Sequence, residues 1–493
     1  MKIFRTLLVT FILGIMILQI MTTTMINAAG DLTYFMQGGY AEGWPQQHAT
    51  TRYWDISGDL DYGTEIATST IVKGNHTIGN LSIYIITNGV ADGATVFTMR
   101  KTTGGVSSDT TSTVTFAAGE TGLKQDLVHT FDLVSGDSYC VKAVAAGTVG
   151  AISPSYISHT ITGSSFIQQV VYAPSHSYSG AINTYVPIGG IEMDDTTEAN
   201  VSYPIKQSVT FSNLRVYCDS NTAAEDAIIT FRINGGDGNQ TITIPHGTIG
   251  SFEDVTHTDS VITNDVLDWH VVKGGIGDIK ISLIQMKAVG NNSMCINSRP
   301  FGTDISFGTT QYRTVFGNLF AQTAAEAPAA CPILNEQTAK NLYVKVTANT
   351  LDGNTVVTLR KNNADTTLSI TISAGDIGNY HNTSDLISFS STDTIDYQVV
   401  SGGSMGAITL RMIAVDLLPA SPAPIPTLTP SSYSGINAVI PIILVAMVIL
   451  LLVGIMASGE LDLGYILIAV ILLYVLYAFL PSIQAVVNSI IGS

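Results

Sequence analysis

One phrase occurs three times in the chain: ADGATVFTMRK at 91–101, AEDAIITFRIN at 224–234 and LDGNTVVTLRK at 351–361. Other landmarks keep step around it. Asn80-Leu81, Asn213-Leu214 and Asn341-Leu342 each stand eight residues before a second asparagine: Asn88, Asn221 and Asn349. Arg100, Arg232 and Arg360 follow inside the phrase. A Gly-x-x-Gly pair comes next at 119/122, 247/250 and 375/378, and eighteen residues after its first glycine stands Asp137, Asp265 or Asp393. Gly147, Gly275 and Gly403 lie ten residues further on, ahead of Ala151-Ile152, Asp278-Ile279 and Ala407-Ile408. From the glycine pair to the aspartate, successive copies are offset by 128 residues. Internal duplication explains this, and three homologous modules are expected at 30–160, 161–290 and 291–418.

Each landmark has a physical reading. In Thr95-Val96-Phe97-Thr98-Met99-Arg100 alternate residues face opposite sides, as a half-buried strand requires. Phe97/Met99, Ile229/Phe231 and Val357/Leu359 then belong to the core. Thr98, Thr230 and Thr358 share the polar face with the arginines. The arginine is expected to be structural, its stem along the sheet and its head on a turn carbonyl or carboxylate. The repeated aspartates sit in SGDSY, TNDVL and STDTI, where a short side chain can bond backbone amides. Glycines at fixed spacing mark turns of positive φ. Strands separated by such turns predict an all-β fold of three tandem jelly-roll-like sandwiches, since about eight strands fit ~130 residues better than seven.

The two ends differ from the middle. MKIFR followed by LLVTFILGIMILQI and Ala28-Ala29-Gly30 has the order of a secretory signal, expected to be cleaved after residues 1–29 or retained as an anchor. Residues 419–435 are proline-rich and read as an extended stalk of ~50 Å. Within 436–480, two uncharged apolar runs flank SGELD, each long enough to cross ~30 Å of hydrocarbon, and predict a transmembrane helical hairpin. The tail, 481–493, places Ile483, Val486, Val487, Ile490 and Ile491 at helical spacing, as on a membrane surface. No Lys or Arg follows Arg411, so charge cannot orient the hairpin. Lys plus Arg number 21 against 38 Asp plus Glu, a net −17 that argues against nucleic acid as a partner.

The order T-x-T-L-R-K-N, T-I-x-A-G-x-x-G and G-G-x-x-G-x-I resembles β-sandwich modules of viral and other microbial surface proteins. Residues 351–408 carry it best, and the middle module departs, with Ile233 for the lysine and one residue lost after Gly275. The C-terminal hairpin resembles the membrane-embedded hairpins of coat proteins in archaeal spindle-shaped viruses. The resemblance implies a virion spike or envelope protein and brings no catalytic motif.

Few residues suggest chemistry. Gly402-Gly403-Ser404-Met405-Gly406 fits the pattern G-x-S-x-G, but the following AITLRMIAV reads as a strand where a hydrolase needs a helix. Asp126-x-x-His129 recurs as Asp254-x-x-His257, with Asn382 and Asp385 at the matching places. These oxygens suit turn capping, with Ca²⁺ as the cation they would take if any; no other cofactor is expected. Cys295 and Cys331 are a candidate disulfide, while Cys140 and Cys218 are either free or joined. Sequons at Asn75, Asn200, Asn239, Asn291 and Asn382 are glycosylation candidates, whereas Asn80 is a repeat landmark expected to be buried. Seven aromatics crowd residues 34–63, where Tyr53 matches Tyr185 and Tyr312 as part of the first strand. The surplus, Tyr34, Phe35, Tyr40 and Trp44, forms a candidate loop for a host glycan or surface receptor, or a cap on the open sandwich.

These residues imply a membrane-anchored structural or adhesive surface protein, with a lipid membrane and further copies of itself as partners. A microbial adhesin or S-layer-associated protein is the alternative. A surface hydrolase ranks below both, because no module holds a His–carboxylate cluster that its siblings lack.

Overall fold

The computed structural model describes residues 32–39, 46–47, 50–54, 65–147, 149–163, 167–173, 176–188, 190–191, 194–290, 299–300, 304–315 and 324–419. The signal, hairpin and tail expected from sequence lie outside them, as does the stalk beyond Pro419, which itself ends a strand. Among the described residues no helix is long and apolar enough to cross a membrane.

Eight strands recur three times. The first set is β1 (Leu32–Gly39), β2 (Thr51–Trp54), β3 (His76–Asn88), β4 (Thr95–Thr103), β5 (Val106–Phe116), β6 (Gly122–Leu133), β7 (Ser138–Ala145) and β8 (Ala151–Gly163). The second is β9 (Ile167–Ala173), β10 (Ile182–Val186), β11 (Val209–Asn221), β12 (Ala227–Ile233), β13 (Gly236–Ile244), β14 (Gly250–Val261), β15 (Val266–Lys273) and β16 (Asp278–Gly290). The third is β17 (Arg299–Pro300), β18 (Thr310–Thr314), β19 (Gln337–Asn349), β20 (Thr355–Lys361), β21 (Ala364–Ile372), β22 (Gly378–Asn382), β23 (Thr394–Ser401) and β24 (Ala407–Pro419).

The sheets of the first set run β1-β8-β3-β6 and β2-β7-β4-β5, those of the second β9-β16-β11-β14 and β10-β15-β12-β13, and those of the third β17-β24-β19-β22 and β18-β23-β20-β21. In each set, strands one, eight, three and six face strands two, seven, four and five. That is the strand order of an eight-stranded jelly roll, two Greek keys closed on one core. The strand bearing Tyr53 is therefore second in its module and not first, because Leu32–Gly39 pairs along β8 ahead of it.

The core follows the alternation. Phe97, Met99, Ile229, Phe231, Val357 and Leu359 are all fully buried, and Trp54 stacks on Phe97 with centroids 5.4 Å apart. The first landmark asparagine has a backbone cause: Asn80, Asn213 and Asn341 have φ of 54°, 56° and 57°, at bulges where the pairing of the third strand slips. Asparagine tolerates that left-handed conformation where most residues strain. The second asparagine spans a turn. Asn88 donates to Ala117 and Glu120 carbonyls at 3.0 and 2.9 Å, Asn221 to Pro245 and Thr248, and Asn349 to Ser373 and Asp376. Asp137, Asp265 and Asp393 accept the N–H three residues upstream, from Val134, Ile262 and Ser390 at 2.9, 2.8 and 2.7 Å. Two or three residues after the landmark Gly147, Gly275 and Gly403 comes a further repeated glycine, Gly150, Gly277 or Gly406. Each has φ near +90° and lies so close to a carbonyl of the β3–β4 loop or its counterpart that no side chain fits.

Candidate functional site at the module interfaces

The repeated arginine anchors a segment that joins one module to the next. Arg100 Nε donates to Glu65 at 2.6 Å, Arg232 Nε to Glu198 at 2.9 Å and Arg360 Nε to Glu326 at 2.6 Å. The fork is completed by Asp109, Asp237 and Asp365, with Gly235 and Asn363 carbonyls in the second and third modules. Arg232 and Arg360 also lie over the rings of Tyr185 and Tyr312, each 5.6 Å from the centroid. The hydrogen bonds it donates to Glu198 hold the Arg232 guanidinium more firmly protonated than usual.

Each of these glutamates begins a single helical turn. Ser69 Oγ donates to the Glu65 carbonyl at 2.8 Å, and the Ser202 and Ala330 amides donate to Glu198 and Glu326 carbonyls at 3.1 and 3.0 Å. The carbonyl four residues after the glutamate then accepts from another module. Ser69 takes Arg215 Nη1 at 3.2 Å, Ser202 takes Lys345 Nζ at 3.0 Å, and Ala330 takes the Tyr156 hydroxyl at 3.3 Å. Module one therefore docks on two, two on three, and three on one. The same acceptor turn docks each time on the sheet that holds the third and eighth strands of another module, and the three contacts return to their origin, a closed ring with pseudo-threefold symmetry inside one chain.

The three seams share a plan and differ in chemistry. At the first, Gln285 exchanges two bonds with the Ile71 backbone and Lys73 pairs with Glu253. At the second, Arg411 pairs with Asp195 at 2.8 Å and Tyr203 meets Tyr343 edge-on with centroids 5.8 Å apart. At the third, the contacts among the described residues are neutral, with Ser155 Oγ donating to the Pro328 carbonyl at 2.6 Å. Arg215, Lys345 and Tyr156 are 2%, 6% and 0% exposed, so each donor works away from water. Burial pushes Arg215 down to about 10 and Lys345 down to about 8, the latter opposed by Asp268.

Asp268 and Asp396 face the repeated arginines across paired strands, and Cys140 holds the same place in module one. Burial raises both carboxyls to about 8, and both Asp396 oxygens lack a partner. The Cys140 thiol is pushed up to about 12 by burial. Cys140 and Cys218 are buried free thiols in separate modules and are not joined. Cys331 is buried in Cys331–Pro332, whereas Cys295 lies outside the described residues.

Other expected sites fall as follows. Asp126 accepts from Val128, His129 and Thr113 amides at 3.2, 3.2 and 2.9 Å, and Asp254 accepts likewise from Thr256, His257 and Thr241. Asn382 accepts from Ser384 and Asp385 amides. These oxygens cap turns and are occupied by N–H groups, which leaves little for Ca²⁺. Ser404 sits in an exposed turn, its hydroxyl donating to Asp352 at 2.7 Å, and β24 follows it instead of a helix. Asn75 is exposed with Oδ1 accepting from Ser135, while the amide nitrogens of Asn200, Asn239 and Asn382 donate inside the protein. Asn291 lies outside the described residues. Tyr34 and Phe35 belong to β1, their backbones paired with Ile161 and Thr160, so they are in a strand and not in the expected loop. Tyr40 and Trp44 lie outside the described residues.

The docking segment was missed in the sequence. Its one signal is a glutamate 35, 34 and 34 residues before the repeated arginine, followed by small residues.

The described residues thus define a closed ring of three jelly rolls. No family model and no curated protein matches the chain. Among solved structures it is similar to one reported as the triple jelly roll fold and turret assembly in an archaeal virus, at 15% identity over 78% of this chain and 91% of that one, TM-score 0.16. It is similar to the insecticidal δ-endotoxin Cry8Ea1 of Bacillus thuringiensis at 10% identity over 52% and 61%, TM-score 0.15, and to infectious bursal disease virus Gx strain at 8% over 83% and 90%, TM-score 0.16. At these scores the likenesses add nothing to the strand order, which defines the fold by itself.

Proposed function

We propose that the protein is a membrane-anchored structural protein of a surface assembly, a spike or envelope protein of an archaeal-type virion. One observation carries this reading. β24 closes the ring's last sheet and runs thirteen residues to Pro419, where the proline-rich sequence and two apolar runs begin. In sequence, the last described strand is thus followed by a stretch suited to a stalk and a bilayer. The buried donors Arg215, Lys345 and Tyr156 are engaged by backbone carbonyls of the neighbouring module, which supports a structural reading of the seams. Mass spectrometry of purified particles, with protease protection of residues 436–480 in intact envelopes, tests the reading. Peptides from the particle with a protected C-terminus are expected. A soluble chain, or one found only in a cellular S-layer, would overturn the virion assignment; the latter outcome supports the adhesin.

A further inference from the structure

We propose that the end of the ring opposite the chain's exit is a docking surface for a basic protein partner whose apolar side chains stand among lysines and arginines.

Strand direction defines this end. β8, β16 and β24 start just after Gly150, Gly277 and Gly406, and β24 leaves from its far end at Pro419. Gly150, Gly277 and Gly406 press these strand starts against the β3–β4 loop or its counterpart, and Asn88, Asn221 and Asn349 tie the β5–β6 turn or its counterpart to the same place. Rotation about the pseudo-threefold axis keeps equivalent residues at one height, so the turns of all three modules open on one face.

Apolar side chains recur there without cover. Val149, Ile276 and Met405 are 51%, 79% and 62% exposed, and Ile249 and Ile377 are 64% and 63% exposed. Each directly precedes a glycine of positive φ, so the turn geometry fixes its outward aim. Thr121 holds the sixth equivalent place. Exposed apolar residues scattered singly need no explanation, but repetition at equivalent turns on one face does.

Charge selects the occupant. The turns 89–94, 222–226 and 350–354, with 117–121, 245–249 and 373–377, hold Asp92, Glu120, Glu225, Asp226, Asp352 and Asp376, and neither they nor the β7–β8-type turns contain Lys or Arg. At this end Lys124 pairs with Glu120, His246 pairs with Asp226 and the Lys273 ammonium is buried on the Gly274 and Gly277 carbonyls, which leaves Asp92, Glu225, Asp352 and Asp376 in excess; Lys101 and Lys361 pair with Asp137 and Asp393 at the other end. A second copy meeting this face head-on would set carboxylate against carboxylate, and anionic lipid is repelled in the same way. A basic surface with apolar residues at its centre satisfies both features.

The test uses the full-length protein in an uncharged detergent. The probes are an amphipathic leucine–lysine peptide, its leucine–glutamate counterpart and phosphatidylglycerol vesicles. Wild type is expected to bind the lysine peptide alone. A variant with I249S, I276S, M405S, E225Q and D376N is expected to bind it about tenfold or more weakly, with unchanged melting. A control with V134S and I262S, at the other end, is expected to bind as wild type. Equal binding by the first variant, equal loss in the control, binding of the glutamate peptide or vesicles, or self-association abolished by these substitutions would each overturn the proposal.

Discussion

The Lys345 ammonium of the third module donates to the Ser202 carbonyl of the second at 3.0 Å, across 143 residues of chain. Arg215 and Ser69 are related in the same way across 146 residues, and Tyr156 and Ala330 across 174. The acceptor is the same position of the same turn each time, while the donor is a guanidinium, an ammonium or a phenol. Different donors at equivalent seams give each docking turn one best site, which favours a single order of closure over permuted pairings.

The neutral seam between modules three and one is the simplest to weaken. Tyr156→Phe keeps the ring and removes only the hydroxyl that bonds Ala330. A buried bond of this kind contributes roughly 0.5–1.5 kcal/mol, and the orphaned carbonyl adds to the loss. Hydrogen exchange should speed up around 326–333 while 65–73 and 198–206 stay protected. Uniform acceleration of all three segments would show that the seams do not behave as separate contacts.

The repeated arginine should matter to the interface more than to its own sandwich. Arg232→Met retains the stem over Tyr185 but strands Glu198 and Asp237. Hydrogen bonds to charged partners at such sites contribute about 1.5–3 kcal/mol each, so a loss of about 2–3 kcal/mol is expected by urea titration. The Ser202–Lys345 contact should loosen before β12 does, which exchange at 198–204 against 227–233 would resolve. Equal loosening of both would place the arginine's role in the sheet.

Much of this was legible in particular residues. The alternation through Phe97 and Met99 gave the strand faces, and SGDSY, TNDVL and STDTI gave the amide-binding aspartates. Strand number could also be reached, because spacing and turn glycines count to about eight, although the strand bearing Tyr53 read as first and is second. Ring closure could not be read. Arg215, Lys345 and Tyr156 share neither chemistry nor repeat position, and their acceptors are backbone carbonyls, which leave no trace in a sequence. The glutamates at 65, 198 and 326 did leave one, but a lone acidic residue before a strand has many ordinary explanations. The aromatic cluster misled in part, since Tyr34 and Phe35 read equally well as a strand.

Stability should depend on pH through Asp396. Burial first, then the neighbouring Glu326, hold its carboxyl at about 8, against about 3.9 in an unfolded chain. The folded state therefore keeps a proton that the unfolded state releases. This contribution is complete below pH ~4 and is lost as pH rises toward 8, at up to ~1.4 kcal/mol per unit. His76 and His159, lowered to about 4 and about 3 chiefly by burial, act in the opposite sense between those values and pH ~6.5. The comparison that isolates Asp396 is therefore wild type against Asp396→Asn. The difference in urea midpoint should move in the variant's favour from pH 5 to pH 8. A difference independent of pH would mean that the carboxyl is ionised in the folded protein.

The bulge asparagines offer a test that touches no interface. Asn213 has φ of 56°, where a β-branched residue is strained by roughly 1–2 kcal/mol and glycine is not. Asn213→Val should therefore lower the melting temperature, and Asn213→Gly should stay near wild type. Asn341→Val should cost more in module three, because besides its φ of 57° it removes the bond that Asn341 Nδ2 donates to the buried Asp416 at 2.6 Å. The costs of two such substitutions in separate modules should add, because the sites share no partner. Valine tolerated at either position would mean that the third strand of that module can pair without its bulge, and that the landmark asparagine has some other cause.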